Sequence, residues 1–185
     1  MARSTFAGPV RSLRGFLGTG PDMVQEIGGS TVDGGTDNTG IDLYQGKLIT
    51  VTNSVTVFNL PTINTSTTSN VAGPNDPNTA NSVGLEYTFQ LDGLATTNTF
   101  TLNAGTAAGR STADVFQGMA WYSNSATDPA VVTAWAAGGT DTLTLDATTR
   151  GGLQGTTIYV RAAKGLQWEI QAFLNGNGTF VTPWS

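Results

Sequence analysis

Two stretches of this chain alternate in a way only a β-strand can use. In residues 84–91, Leu85, Tyr87, Phe89 and Leu91 alternate with Glu86, Thr88 and Gln90. In residues 166–174, Leu166, Trp168, Ile170 and Ala172 alternate with Gln167, Glu169 and Gln171. A period of two sends successive side chains to opposite faces of a sheet, so each segment has one dry face and one wet face. Trp168, in phase with Leu166 and Ile170, is therefore expected in the core. Shorter runs rich in Val, Ile, Thr and Phe at 47–52, 54–60, 98–103, 142–146 and 156–162 read the same way. Clusters of Gly, Asn, Asp and Ser separate them, giving about eight to ten short strands, the pattern of an all-β antiparallel sandwich or jelly-roll-like body. No repeat of fixed period is evident, so a solenoid or propeller is not expected.

Local signals add detail. Asn53 between 47–52 and 54–60 allows one long bent strand, closed by Leu60-Pro61, since proline lacks a ladder donor. Asp92-Gly93 is a turn signal, and a strand pair across it, 84–91 with 98–103, is expected. Residues 114–123 and 129–137 are ambiguous. Asp128, Pro129 and Gly138 form a helix signature, but Val131, Val132, Thr133 and Trp135 favour a strand for the second. Asn175-Gly176-Asn177-Gly178 predicts a hairpin into residues 179–184. Residues 28–40 and 64–81 hold almost nothing that packs and read as exposed loops.

The composition narrows the chemistry. The 185 residues include no His and no Cys, and only 11% are charged, where an ordinary soluble domain has roughly 25%. Thr is the commonest residue, with 31 copies, and Gly follows with 24. A thiol nucleophile, a thiolate or imidazole metal ligand and a disulfide are thus ruled out, as is a side chain that titrates unperturbed near neutrality. Asp33, Asp37 and Asp42 do not match the spacing of a calcium loop. Glu86 and Glu169 are the acids placed within strands, but each sits on the wet phase, where solvation is the default for a carboxylate. No nucleophile motif and no phosphate-loop motif occurs. No enzyme, cofactor or metal is expected. The formal charge of −5 argues against nucleic acid and anionic membranes as partners. Residues 130–137 are the longest nearly apolar run, too short to span a bilayer, and no apolar stretch follows the first arginines, so no leader is expected.

The sparse positive charge is concentrated. Arg3, Arg11 and Arg14 lie in the first fourteen positions, interleaved with Phe6, Val10, Leu13, Phe16 and Leu17. The chain divides into an N-terminal arm, 1–27, and a single β-rich domain, 28–185. The arm is read as docking on an external surface, the alternative being a strand tucked onto its own domain. Arg3, Phe6, Arg11, Arg14 and Phe16 are the anchoring candidates. Trp121, Trp135 and Trp184 are candidates for a subunit interface or for stacking on a glycan. A surface of Thr, Ser, Asn and Gly loses little side-chain entropy in contacts, which favours lasting association.

The opening Met-Ala-Arg-Ser-Thr-Phe-Ala-Gly-Pro-Val resembles that of small virion proteins of tailed bacteriophages of marine bacteria. Tyr44-Gln45-Gly46, Asn59-Leu60-Pro61, Gly84-Leu85-Glu86-Tyr87-Thr88-Phe89, Gly165-Leu166-Gln167-Trp168, Gly178-Thr179 and Thr182-Pro183-Trp184-Ser185 are similar in character. The resemblance implies a capsid decoration, or cement, protein on the exterior of a virion, made in the host cytoplasm and often trimeric, with the major capsid protein as partner. A head-fibre or tail-associated protein that binds host glycans is the alternative.

Overall fold

A computed structural model of the chain describes residues 24–29, 31–33, 46–61, 63, 84–105, 114–124, 132–163 and 166–185. The described residues form eleven strands and no helix: β1 Val24–Ile27, β2 Thr31–Asp33, β3 Leu48–Val51, β4 Thr56–Asn59, β5 Glu86–Leu91, β6 Phe100–Asn103, β7 Val115–Asn124, β8 Val132–Ala136, β9 Thr142–Leu145, β10 Thr157–Ala163 and β11 Gln167–Gly176. They build a seven-stranded sheet, ordered β1-β3-β5-β10-β11-β7-β8, and a four-stranded sheet, ordered β2-β4-β6-β9. The all-β expectation holds, and 132–136 is a strand rather than a helix.

Both sheets are mixed, which corrects the antiparallel expectation. Strands β1, β3 and β5 run parallel in the large sheet, and β2, β4 and β6 run parallel in the small one. The chain therefore repeats one move three times: a strand in the large sheet, a corner, then a strand in the small sheet. Residues 47–52 and 54–60 are thus two strands in two sheets, meeting at a corner. Likewise β5 and β6 do not pair with each other. Both edges of β5 are taken, by β3 and β10, so the chain can only leave for the other sheet.

The corners stack as the strands do. Thr52 N donates to the Ile27 carbonyl at 2.9 Å, and Asp92 N to the Val51 carbonyl at 3.1 Å. The Asn53 side-chain oxygen accepts from Ala95 N at 2.5 Å and from Asn98 Nδ2 at 3.1 Å. At the far end of the small sheet, Asn103 Nδ2 donates to Asn59 Oδ1 at 2.9 Å, and Thr142 Oγ1 donates to Asn103 Oδ1 at 3.2 Å. This side-chain ladder follows the backbone register, because Asn59 pairs with Asn103 and Asn103 with Thr142. Parallel neighbours need long return connections. The chain between β2 and β3 and between β4 and β5 makes these returns; of the stretches read as loops, residues 31–33 are instead strand β2, because their backbone pairs with β4, while residues 34–40 and 64–81 lie outside the described residues.

The inner faces share one core. Phe58 on β4 meets Tyr87 and Phe89 on β5 edge-on, with ring centroids 5.9 and 4.9 Å apart, and Phe89 meets Phe100 on β6 at 5.7 Å. These contacts join the two sheets, and edge-to-face pairs add to the stabilisation from burial alone. Asp114, wholly buried, accepts from Ile63 N at 2.6 Å and so ties the exit of the small sheet to the start of β7.

The C-terminal hairpin does not form. Strand β11 already has β10 on one edge and β7 on the other. After Asn177-Gly178 the chain crosses to the small sheet, where Trp184 bridges Leu143 and Thr144 N donates to the Pro183 carbonyl. Gly176 is there for room rather than for a turn: a Cβ would lie 1.9 Å from the Tyr122 hydroxyl oxygen and 2.7 Å from the Thr148 carbonyl oxygen.

Asp146 holds the bend between β9 and β10. Its carboxylate accepts from Thr148 N at 3.0 Å, Thr149 Oγ1 at 2.6 Å and Arg150 N at 2.8 Å. Partial burial opposes its ionisation, but these hydrogen bonds outweigh it and hold its carboxyl below the ordinary value. A carboxyl that is more acidic folded than unfolded contributes stability that is full above the unfolded pKa. The contribution disappears as pH falls through the folded pKa. Asp146→Ala is expected to lose about 1–2 kcal/mol at neutral pH. Denaturant midpoints measured from pH 7 downwards should show the gap from wild type closing in the acid range below about pH 4.

Candidate functional site

Strands β5, β10, β11, β7 and β8 turn their second set of side chains away from the core, onto the outer face of the seven-stranded sheet. The register lines these up in rows across the strands. One row runs Thr50, Gln90, Thr157, Phe173, Trp121, Ala134. The next, two residues along each strand, runs Leu48, Thr88, Tyr159, Gln171, Met119, Ala136. A third runs Glu86, Arg161, Glu169, Gln117. Neighbouring strands are about 4.8 Å apart and alternate residues about 7 Å apart along a strand.

Phe173 and Trp121 stand side by side and stack, with centroids 5.1 Å apart and planes 14° from parallel. Phe173 is 57% exposed and Met119, diagonal to it, 38%. Apolar side chains exposed singly need no explanation, whereas neighbouring ones that form a patch point to a contact surface. Beside them the face is polar. Arg161 Nε donates to Glu169 Oε2 at 3.1 Å, and its terminal nitrogen contacts the same oxygen. That hydrogen bond and the charge of Glu169 raise the Arg161 pKa further. Both side chains are about half exposed (48% and 52%), so the pair contributes little to stability. The Tyr159 phenol is pushed up, first by its hydrogen bond to Glu86 and then by burial. Glu86 and Glu169 therefore flank one arginine on an open face instead of facing each other across a cleft. Among the described residues, no group of His, Cys, Asp and Glu could hold a metal ion.

The three tryptophans singled out from sequence go to different places. Trp121 is on the outer face. Trp135 packs edge-on against Tyr122 and Phe180, at 6.2 and 6.1 Å. Trp184 is only 8% exposed; it packs 6.2 Å from Phe116, and its indole nitrogen donates to the Trp135 carbonyl. The crossing of the C-terminal segment to β9 buries Trp184 within its own chain, where the sequence points to a neighbouring subunit. Phe173, Met119 and Tyr159 were not singled out. Phe173 carries a legible signal, since it occupies the wet phase of a strand whose other wet positions are Gln167, Glu169, Gln171 and Asn175. Arg3, Phe6, Arg11, Arg14 and Phe16 lie outside the described residues. The final four residues of the segment read as an arm form β1, so that part is a strand on its own domain.

Compared with known protein families, with curated proteins and with solved structures, the chain matches none.

Proposed function

We propose that this protein is a capsid decoration protein, which binds the outer surface of a phage head and reinforces it without catalysis. The body is a homotrimer, the major capsid protein is the partner, and the anchor is the basic, aromatic segment carrying Arg3, Phe6, Arg11, Arg14 and Phe16. The reading rests on the resemblance of the opening residues. One structural observation supports it most: β1, which continues directly from that segment, is the edge strand of the large sheet, with Val24 at its start 52% exposed. A segment joined there begins at the rim of the body and can reach a neighbouring surface without disturbing the core. Several identical arms on one trimer would multiply weak contacts.

Deleting residues 1–20 spares β1 and every core residue among those described. The shortened protein is expected to keep its thermal midpoint and to lose co-sedimentation with expanded capsids. Undiminished capsid binding by the shortened protein would rule out the arm as anchor.

A further inference from the structure

We propose that the outer face of the seven-stranded sheet binds an uncharged polysaccharide chain, with Phe173 and Trp121 as stacking platform and Tyr159, Gln171 and Gln90 as the hydrogen-bonding groups around it. The proposal goes beyond the capsid reading and does not depend on it.

A sugar ring has two kinds of surface, an apolar C–H face and a rim of hydroxyls that both donate and accept. The sheet face offers the complement of each. Phe173 supplies exposed aromatic surface and the half-buried Trp121 stacks beside it; both are flanked along their row by the short side chains Thr157 and Ala134, which leave space beside the rings. Gln171 and Gln90 carry carboxamides, each with a donor and an acceptor, and Tyr159 adds a phenol. The row of Tyr159 and Gln171 lies about 7 Å from the aromatic row, the scale of one sugar residue. Strands β10 and β11 are paired along both edges, so the platform is held in place before any ligand arrives, and little ordering is needed on binding.

Charge decides which glycan fits. In these rows Arg161 is paired with Glu169, and Glu86 is hydrogen-bonded to Tyr159. No unpaired cation is left there to receive a sulfate, uronate or phosphate, and two carboxylates on the face repel polyanions. A neutral chain meets neither obstacle. A protein partner is less well matched. Interface cores are depleted in charge, whereas here the aromatic pair is bordered by glutamines and by the row Glu86, Arg161, Glu169.

The test uses the full chain on an array of neutral glycans, followed by titration of tryptophan fluorescence with cellohexaose, maltohexaose and xylohexaose. The double variant Phe173→Ser, Trp121→Thr keeps strand-forming residues on an exposed face and should retain the wild-type thermal midpoint; the single variant Phe173→Ser is the check if it does not. Saturable binding of a neutral glycan is expected, weakened roughly tenfold or more in the variants. Retention of no neutral glycan, or binding unchanged by the variants, overturns the proposal. So does light scattering that shows wild-type oligomers dissociating in the variants without any glycan bound, which would make the face an interface between copies of this chain.

Discussion

Gly118→Ala is expected to be among the most damaging single substitutions in this protein, costing about 4 kcal/mol or more. Gly118 lies in the middle of β7, at φ 145°. A Cβ there would sit 1.9 Å from the Ile170 carbonyl oxygen, 2.9 Å from its carbon and 3.0 Å from the Ile170 nitrogen. Ile170 is the register partner of Gly118 on β11, so the clash is with the backbone of the neighbouring strand. Relief requires parting β7 from β11, the two longest strands of the sheet. Gly46→Ala is the control. Gly46 also has a positive φ, 68°, but among the described residues nothing lies within 4 Å of its added Cβ. It should cost about 1 kcal/mol, the conformational penalty alone. Thermal midpoints should fall by roughly 2–4 °C per kcal/mol for a chain of this size. Equal shifts for the two variants would refute the contact argument.

Trp168→Ala is expected to cost about 3–5 kcal/mol, the range for emptying an aromatic site in a core. Trp168 is fully buried on β11 and packs 5.9 Å from Tyr87. Its indole nitrogen has no hydrogen-bond partner among the described residues. Its contribution therefore comes from volume and apolar contact. Trp168→Phe should consequently be much milder, about 1–2 kcal/mol, since it leaves a smaller cavity and removes an unsatisfied N–H. Urea midpoints of the three proteins give the comparison, and a Phe variant as unstable as the Ala variant would show that the indole nitrogen matters after all.

The strands were legible where one face is dry. β5 and β11 read directly from their alternation, and Phe100 and Leu102 on β6 are buried as expected. The pairing was not legible. Val24 pairs with Leu48, but Leu48 pairs with Thr88, so the three stacked units have no constant offset. Their corners also differ in length, at residues 28–30, 52–55 and 92–99. Unequal connections erase a period from the sequence while leaving the stacking intact, because ladder hydrogen bonds are made by backbone groups that every non-proline residue carries. The Asn-Gly pairs misled for a related reason. A turn signal describes local backbone preference, and it cannot register that both edges of β11 are already occupied. Of the candidate face, Trp121 and the odd phase of Phe173 were visible in sequence. Their stacking was not, since it depends on which strand lies beside β7.

What the sequence by itself determined is the kind of matter this protein is made of. The two-residue period set the strands and their dry faces. The missing His and Cys removed whole classes of chemistry, and the basic residues of the first fourteen positions marked one end as different from the rest. Tertiary structure alone decided which strands are neighbours, that they run parallel in two stacks of three, that Trp184 is enclosed by its own chain, and that Trp121 meets Phe173 on the outer face of the large sheet. The division has a physical cause. Burial is set residue by residue from side-chain chemistry, whereas strand order is set by backbone groups common to all residues and by which edges are still free when the chain returns.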